Sequence, residues 1–480
     1  MPVSSPITDI HAHPTLKPFG NTSYSNLNAK LYGDPACIWT KDRISETDKF
    51  LESIAGFSRY RQSDFSSLVN GQVKTIIPAL YPIERGFFLL PERILLKELT
   101  ETYLGQFASM LSKAKIRHIR SDKYNYYEDL IHEFEFLESL NERAANGCSF
   151  SYKIVENPED LYLNKDFNIY VIPSIEGGHA LCNGNNVLLS ENWFGVEARI
   201  QHIKNLISRP IFITLAHHFF NGLCTHARSL TGVASRFLDQ SYGMRDYRIQ
   251  SSDAIVPITT TGKRVIRELL SNSNGKRILI DVKHMSKEAR MEYYQMILLE
   301  YPDTTIPVIC SHGALTDFYP HQINMEKQLD ILKIYETNGL FGIELDQRIL
   351  GLKQHRFIEK YLRMARRKFA SFEKRCATDA YLVWRQIITT AEFAYSNGFR
   401  DDPWKCICLG SDYDGIIDPP DQFRTAERLP LLYEFLIRHL DQYWKSGHCM
   451  VPKNHNGWKK EDVIYRIMHK NALDFIDKNY

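Results

Sequence analysis

The sequence has no apolar run approaching the ~18–20 residues needed to cross a bilayer, which argues against a membrane-spanning helix. Its first residues lack a charged segment followed by an apolar one, and a strand pattern starts almost at once, at Ile7. No secretory leader is therefore expected. The C-terminus ends in a charged helical pattern without an anchor signal. No C-x2-C pair exists, so cysteine-ligated zinc is not expected. The nine cysteines are scattered and odd in number, with Cys406 and Cys408 in one strand pattern. A reduced, cytoplasmic setting is the simplest expectation. Charge of one sign is also lacking: the net is +2 over 480 residues. That gives no reason to expect nucleic acid or another polyanionic partner. The one basic run noted, Arg363–Lys368, reads as a solvated helix face. Internal repeats and low-complexity tracts are absent as well.

What is present is a repeated alternation. Eight short segments are rich in Val, Ile and Leu with little polar alternation, the pattern of parallel strands buried on both faces. They are roughly Pro6–His11, Lys74–Leu80, Ile169–Ile175, Ile211–Ala216, Arg277–Lys283, Ile306–Ser311, Leu340–Leu345 and Lys405–Ser411. Between most of them lie helical patterns, as in Glu191–Ile207, Gly262–Leu270, Lys287–Leu299 and Met325–Thr337. Ser286 is placed to cap the third of these. The alternation predicts a single α/β unit over residues 1–480, a (β/α)8 TIM-type barrel. Three connections exceed a simple crossover: about 14–73, 81–168 and 346–404. Helices are expected within them at Pro91–Lys113, Tyr126–Ala145 and His355–Tyr395. In a barrel they leave the catalytic face, and read as a lid, an oligomer contact or plain scaffold.

Residues suited to metal chemistry fall at the C-terminal ends of these runs. His11 and His13 close the first, two apart and so on one face. Glu176 follows the third and precedes two glycines, which let the backbone turn sharply and leave room for a ligand. Its two oxygens could bridge two cations. His284 and His312 end the fifth and sixth runs, and neutral imidazole is a good zinc ligand. Asp412 ends the eighth, with Asp414 as a close competitor. Each residue alone has a bland reading, a core histidine or a solvated carboxylate. Together they describe a binuclear metal site on a barrel rim.

The blocks DIHAH, SIEGGH, ITLAHH, LIDVKHMS, PVICSH and LGSDYDG, in that order, resemble the membrane (renal) dipeptidase family, peptidase family M19 of the amidohydrolase superfamily. TTTGKRVIRELL and HKNALDFI are family-like too. The resemblance implies two zinc ions. His11, His13 and Asp412 would hold one, His284 and His312 the other, and Glu176 would bridge them. It implies that His217 contacts the substrate and stabilises its developing oxyanion. It implies that Asp412 takes the attacking water's proton and passes it to the leaving amine. A small dipeptide substrate and a homodimer are compatible with it. His218 is expected to point away from His217.

Two positions depart from the family. The first motif is His-x-His, where the family has His-x-Asp, making the site more positive by one charge. The family's substrate arginine would fall in the stretch His321-Gln322-Ile323-Asn324, and no arginine is there. Nothing at position 323 replaces its bidentate grip on a carboxylate; His321 or Lys327 would have to supply charge nearby. The departure keeps open an amidohydrolase acting on a lactone or an N-acyl amino acid. A non-catalytic binding protein on the same scaffold is the remaining alternative.

Overall fold

Strands without polar alternation need cover on both faces. The computed structural model provides it by rolling them into a closed sheet wrapped by helices. It describes residues 5–22, 31–55, 58–88, 109–163, 166–184, 191–229, 256–352, 370–453 and 457–480, and a few single positions between. The strands are β1 (Ile7–Ala12), β2 (Val73–Leu80), β3 (Tyr152–Ile154), β4 (Ile169–Val171), β5 (Ser174–Glu176), β6 (Phe212–Thr214), β7 (Leu279–Asp281), β8 (Ile309–Gly313), β9 (Leu340–Ile343) and β10 (Ile407–Leu409). Neighbours run β1-β10-β9-β8-β7-β6-β5-β2, and β2 pairs back onto β1. The register at that last seam includes Ile7 opposite Val73. All these pairings are parallel, so the eight strands close a (β/α)8 barrel.

The expected third strand, Ile169–Ile175, is divided. β4 pairs with β2 at Thr75 and Ile76, and β5 pairs with β2 at Ala79 and Leu80. Pro173 sits at the break; having no N–H, it cannot continue a ladder. On its other side β4 pairs with β3, a strand inside the second insertion that no apolar periodicity announced.

Helices Trp193–Lys204, Thr260–Leu270 and Lys287–Glu300 fill the expected intervals. Ser286 does cap the third, its hydroxyl accepting from the Ala289 N–H at 3.1 Å. Met325–Thr337 is not one α-helix. It opens with a π-helical turn, Lys327–Ile331, before Leu332–Glu336. In that turn Asp330 faces inward, meeting Arg290 at 2.8 Å and accepting from the Tyr294 hydroxyl. The second insertion carries a helix over Tyr126–Glu138, shorter than expected, and the third one over Phe372–Ser396. Most of Pro91–Lys113, the start of His355–Tyr395 and the basic run Arg363–Lys368 lie outside the described residues.

Buried polar bonds lock the periphery to the barrel. At the C-terminal mouth Glu133 accepts from Thr15 Oγ1 at 2.6 Å and Tyr81 N at 2.8 Å. At the opposite end Asn471, from HKNALDFI, donates to the Trp404 and Ile407 carbonyls leading into β10. The nine cysteines are free. Among the described residues no helix is long and apolar enough to cross a membrane.

Candidate metal centre

The C-terminal strand ends bring His11, His13, Glu176, His284, His312 and Asp412 into one buried cluster. Glu176 is at its centre. Its Oε2 lies 3.0 Å from His13 Nε2, and its Oε1 lies 3.5 Å from both His11 Nε2 and His284 Nε2. His312 Nε2 is 3.9 Å from the same Oε1. Asp412 Oδ1 faces His13 Nε2 at 3.3 Å and His11 Nε2 at 3.7 Å. The cluster draws His11, His13 and Asp412 from the ends of β1 and β10 and His284 and His312 from the ends of β7 and β8, with His11 stacked on His312 at 3.9 Å.

Local backbone accounts for the aim of these groups. His284 and Asp412 adopt left-handed φ values of 66° and 57°. Residues with a Cβ rarely hold this conformation outside functional or strained sites. Past the end of β7, consecutive residues Lys283 and His284 both line the cavity. At Gly415 a Cβ would stand 2.0 Å from Asp412 Oδ1, so only glycine leaves that carboxylate where it is. Gly177, at φ 89°, makes the turn behind Glu176. Between strands, Asp9 accepts from Ser411, and Asp281 accepts from Thr214 and Ser311, tying these strand ends together.

The electrostatics differ between the two sets. Burial pulls the His13 imidazolium down, but Glu176 and Asp412 overcome it and hold it up at about 10. Burial holds His284 down at about 3, with the nearby Glu176 carboxylate opposing. Burial, with the His11 and Lys283 charges, puts His312 well below the usual histidine range. Burial favours a neutral Glu176, yet the His217 and His13 charges hold its carboxyl well below the usual range. Burial raises Asp412.

His217 joins the cluster, its Nε2 3.7 Å from Glu176 Oε1. Its Nδ1 is bonded to Glu84, which sequence reading missed. Glu84 also accepts from the Phe219 N–H and the Tyr81 hydroxyl, each at 3.0 Å. Burial favours its acid form, but the His217 and His179 charges pull it down to about 2. The only sequence signal was an acidic residue just past the end of β2. His218 does not point away from His217: their rings are 4.0 Å apart, and both lie beside His284. β6 ends at Thr214, so strand alternation no longer applies at these positions. Asp414 is turned elsewhere. It accepts from Lys17 and Ser63 Oγ at 2.7 Å each, fastening the first insertion to the barrel.

The donor set fits a divalent cation. Both ring nitrogens of His11 and His284, and Nδ1 of His13, are buried without a hydrogen-bond partner. Orphaned buried polar atoms are costly, and a cation between imidazoles and a carboxylate resolves that cost.

A parallel barrel with histidines and carboxylates gathered at its C-terminal mouth has the build of a metal-dependent hydrolase. Residues 226–445 match the model of the membrane dipeptidase family, peptidase family M19. Over those residues the chain is similar to this family of metallopeptidases. The matched segment contains His284, His312 and Asp412, whereas His11, His13, Glu176 and His217 precede it. Similar solved structures include dipeptidase AC, a family M19 metallopeptidase, at 12% identity over 99% of each chain with a TM-score of 0.51. Another is a metallopeptidase from Rhodobacter sphaeroides bound to a phosphinate mimic of L-Ala-D-Ala. It is 12% identical over 99% of this chain and 100% of that one, with a TM-score of 0.52. A third is the probable dipeptidase PvdM of Pseudomonas aeruginosa, 12% identical over 99% of this chain and 96% of that one, with a TM-score of 0.51. At such identity these likenesses speak for the fold. No curated protein matches the chain.

Proposed function

We propose that the protein is a zinc-dependent hydrolase that cleaves a dipeptide or a similar small amide. The observation that carries this reading is the position of Glu176. Its Oε2 faces His13 and its Oε1 faces His11, His284 and His312, so the carboxylate lies among all four imidazoles, where it could be shared by two ions. His11, His13 and Asp412 would hold one zinc, and His284 and His312 the second. When bound, the ions supply Lewis acidity and a water acidic enough to ionise near neutral pH.

The remaining steps belong to the chain's own side chains. Asp412, raised by burial, accepts the water's proton and returns it to the leaving amine. Burial lowers His217, but Glu84 outweighs it and favours the imidazolium. With Nδ1–H engaged by Glu84, the Nε2–H is free to donate to the oxyanion that develops on the substrate. A dipeptide mimic in the Rhodobacter sphaeroides structure is consistent with a substrate of this size. Ile323, an apolar residue in the cavity where the family carries arginine, favours a second reading. In it the same chemistry is applied to an N-acyl amino acid or a lactone.

Amine release from a panel of L,L- and L,D-dipeptides by zinc-reconstituted protein, against a chelated control, tests the first reading. Chelator-sensitive release is expected. No release from protein with two verified zinc ions would send the search to the second.

A further inference from the structure

The cavity beside the metal cluster is lined by two cation–carboxylate pairs, Lys283 with Glu344 and Arg348 with Asp346. They differ in burial and in the share of donors engaged. The Arg348 guanidinium, its side chain 19% exposed, bonds both oxygens of Asp346 and the Ile416 carbonyl through Nε and Nη2, and its Nη1 has no bond among the described residues. The Lys283 ammonium, 1% exposed, makes one hydrogen bond among the described residues, to Glu344 Oε2 at 2.8 Å. An ammonium has three N–H donors, so two remain for a ligand. The other cations considered from the sequence are not in the cavity. Lys327 is paired with Asp317 at 2.6 Å, and His321 is stacked on Tyr319. Ile323, Ile349, Ile416 and Ile417 form an apolar part of the wall, beside the polar His218 and Ser229.

We propose that Lys283, positioned by Glu344, binds a carboxylate carried by the substrate, with an apolar substituent against the isoleucine wall. The inference rests on the hydrolase reading of the same site and narrows its substrate. The molecule is an N-acyl amino acid, or a dipeptide whose second residue is apolar, with a free carboxylate. Lys283 is a specificity residue, and the metal-facing groups keep the roles given above.

The test compares each acid with its carboxamide, using N-acetyl-leucine for binding and a leucine-ended dipeptide for turnover. Wild type, Lys283→Arg, Lys283→Gln and the charge-free Lys283→Gln/Glu344→Gln are used, all with zinc content verified. A hydrogen bond to a charged group predicts about ten- to hundredfold preference for the acid in wild type, expressed mainly in KM. Lys283→Arg keeps the preference, and both glutamine variants reduce it to about twofold or less. The double variant avoids leaving Glu344 buried alone. Equal handling of acid and amide by wild type overturns the proposal while the hydrolase reading stands. So does wild-type preference in either folded glutamine variant. Calorimetric preference for N-acetyl-leucine over its amide, with no turnover of any amide, upholds Lys283 and overturns the hydrolase reading.

Discussion

On the β1 and β10 side of the barrel mouth, His13 lies between two carboxylates, Glu176 at 3.0 Å and Asp412 at 3.3 Å. On the β7 and β8 side, His284 and His312 share Glu176 alone, at 3.5 and 3.9 Å, with the Lys283 ammonium on the same cavity wall. The first side draws a cation with nearby negative charge. The second offers neutral imidazoles in a setting that opposes positive charge. One site thus contains a tight half and a loose half. The tight half suits structure and proton transfer, and the loose half suits an anionic substrate.

The largest effect expected is from Asp412→Asn. General acid–base groups contribute about 10²–10⁴-fold, so turnover should fall by that order while most zinc remains. Undiminished turnover would remove Asp412 as the proton carrier. His284→Ala should lower zinc content by about half, because only the loose half loses a ligand; in wild type, limited chelation should remove the same ion first. An unchanged zinc count would make His284 structural and dissolve the contrast. Glu84→Gln should lower kcat about ten- to hundredfold, as loss of an orienting partner does, with zinc content unchanged. A loss of zinc would instead place Glu84 in metal retention. Asp414→Asn should leave zinc and kcat near wild type and lower the melting temperature, since it leaves the Lys17 ammonium buried without its counter-charge. A strong loss of activity would reverse the division between Asp412 and Asp414.

Much of this architecture was legible in the sequence because barrel strands are buried on both faces and read as unbroken apolar runs. The chemistry-bearing residues stood out by ending those runs, where a barrel opens its mouth. What escaped notice did so for local reasons. β3 is three residues long and too short to show a period. Pro173 breaks the third strand within an apolar run. Glu84 lies past β2, in a loop whose path no pattern fixes. Alternation placed His218 on the wrong face. It fails there because β6 has already ended. The arginine missing at position 323 was visible as an absence. Its cationic counterpart in the cavity emerged only with the side chains in place.

The most direct test is anomalous diffraction at the zinc edge from crystals of zinc-loaded protein. Two peaks are expected on either side of Glu176, one against His11, His13 and Asp412, the other against His284 and His312. A single peak, or zinc bound away from Glu176, would contradict a carboxylate-bridged pair at the barrel mouth.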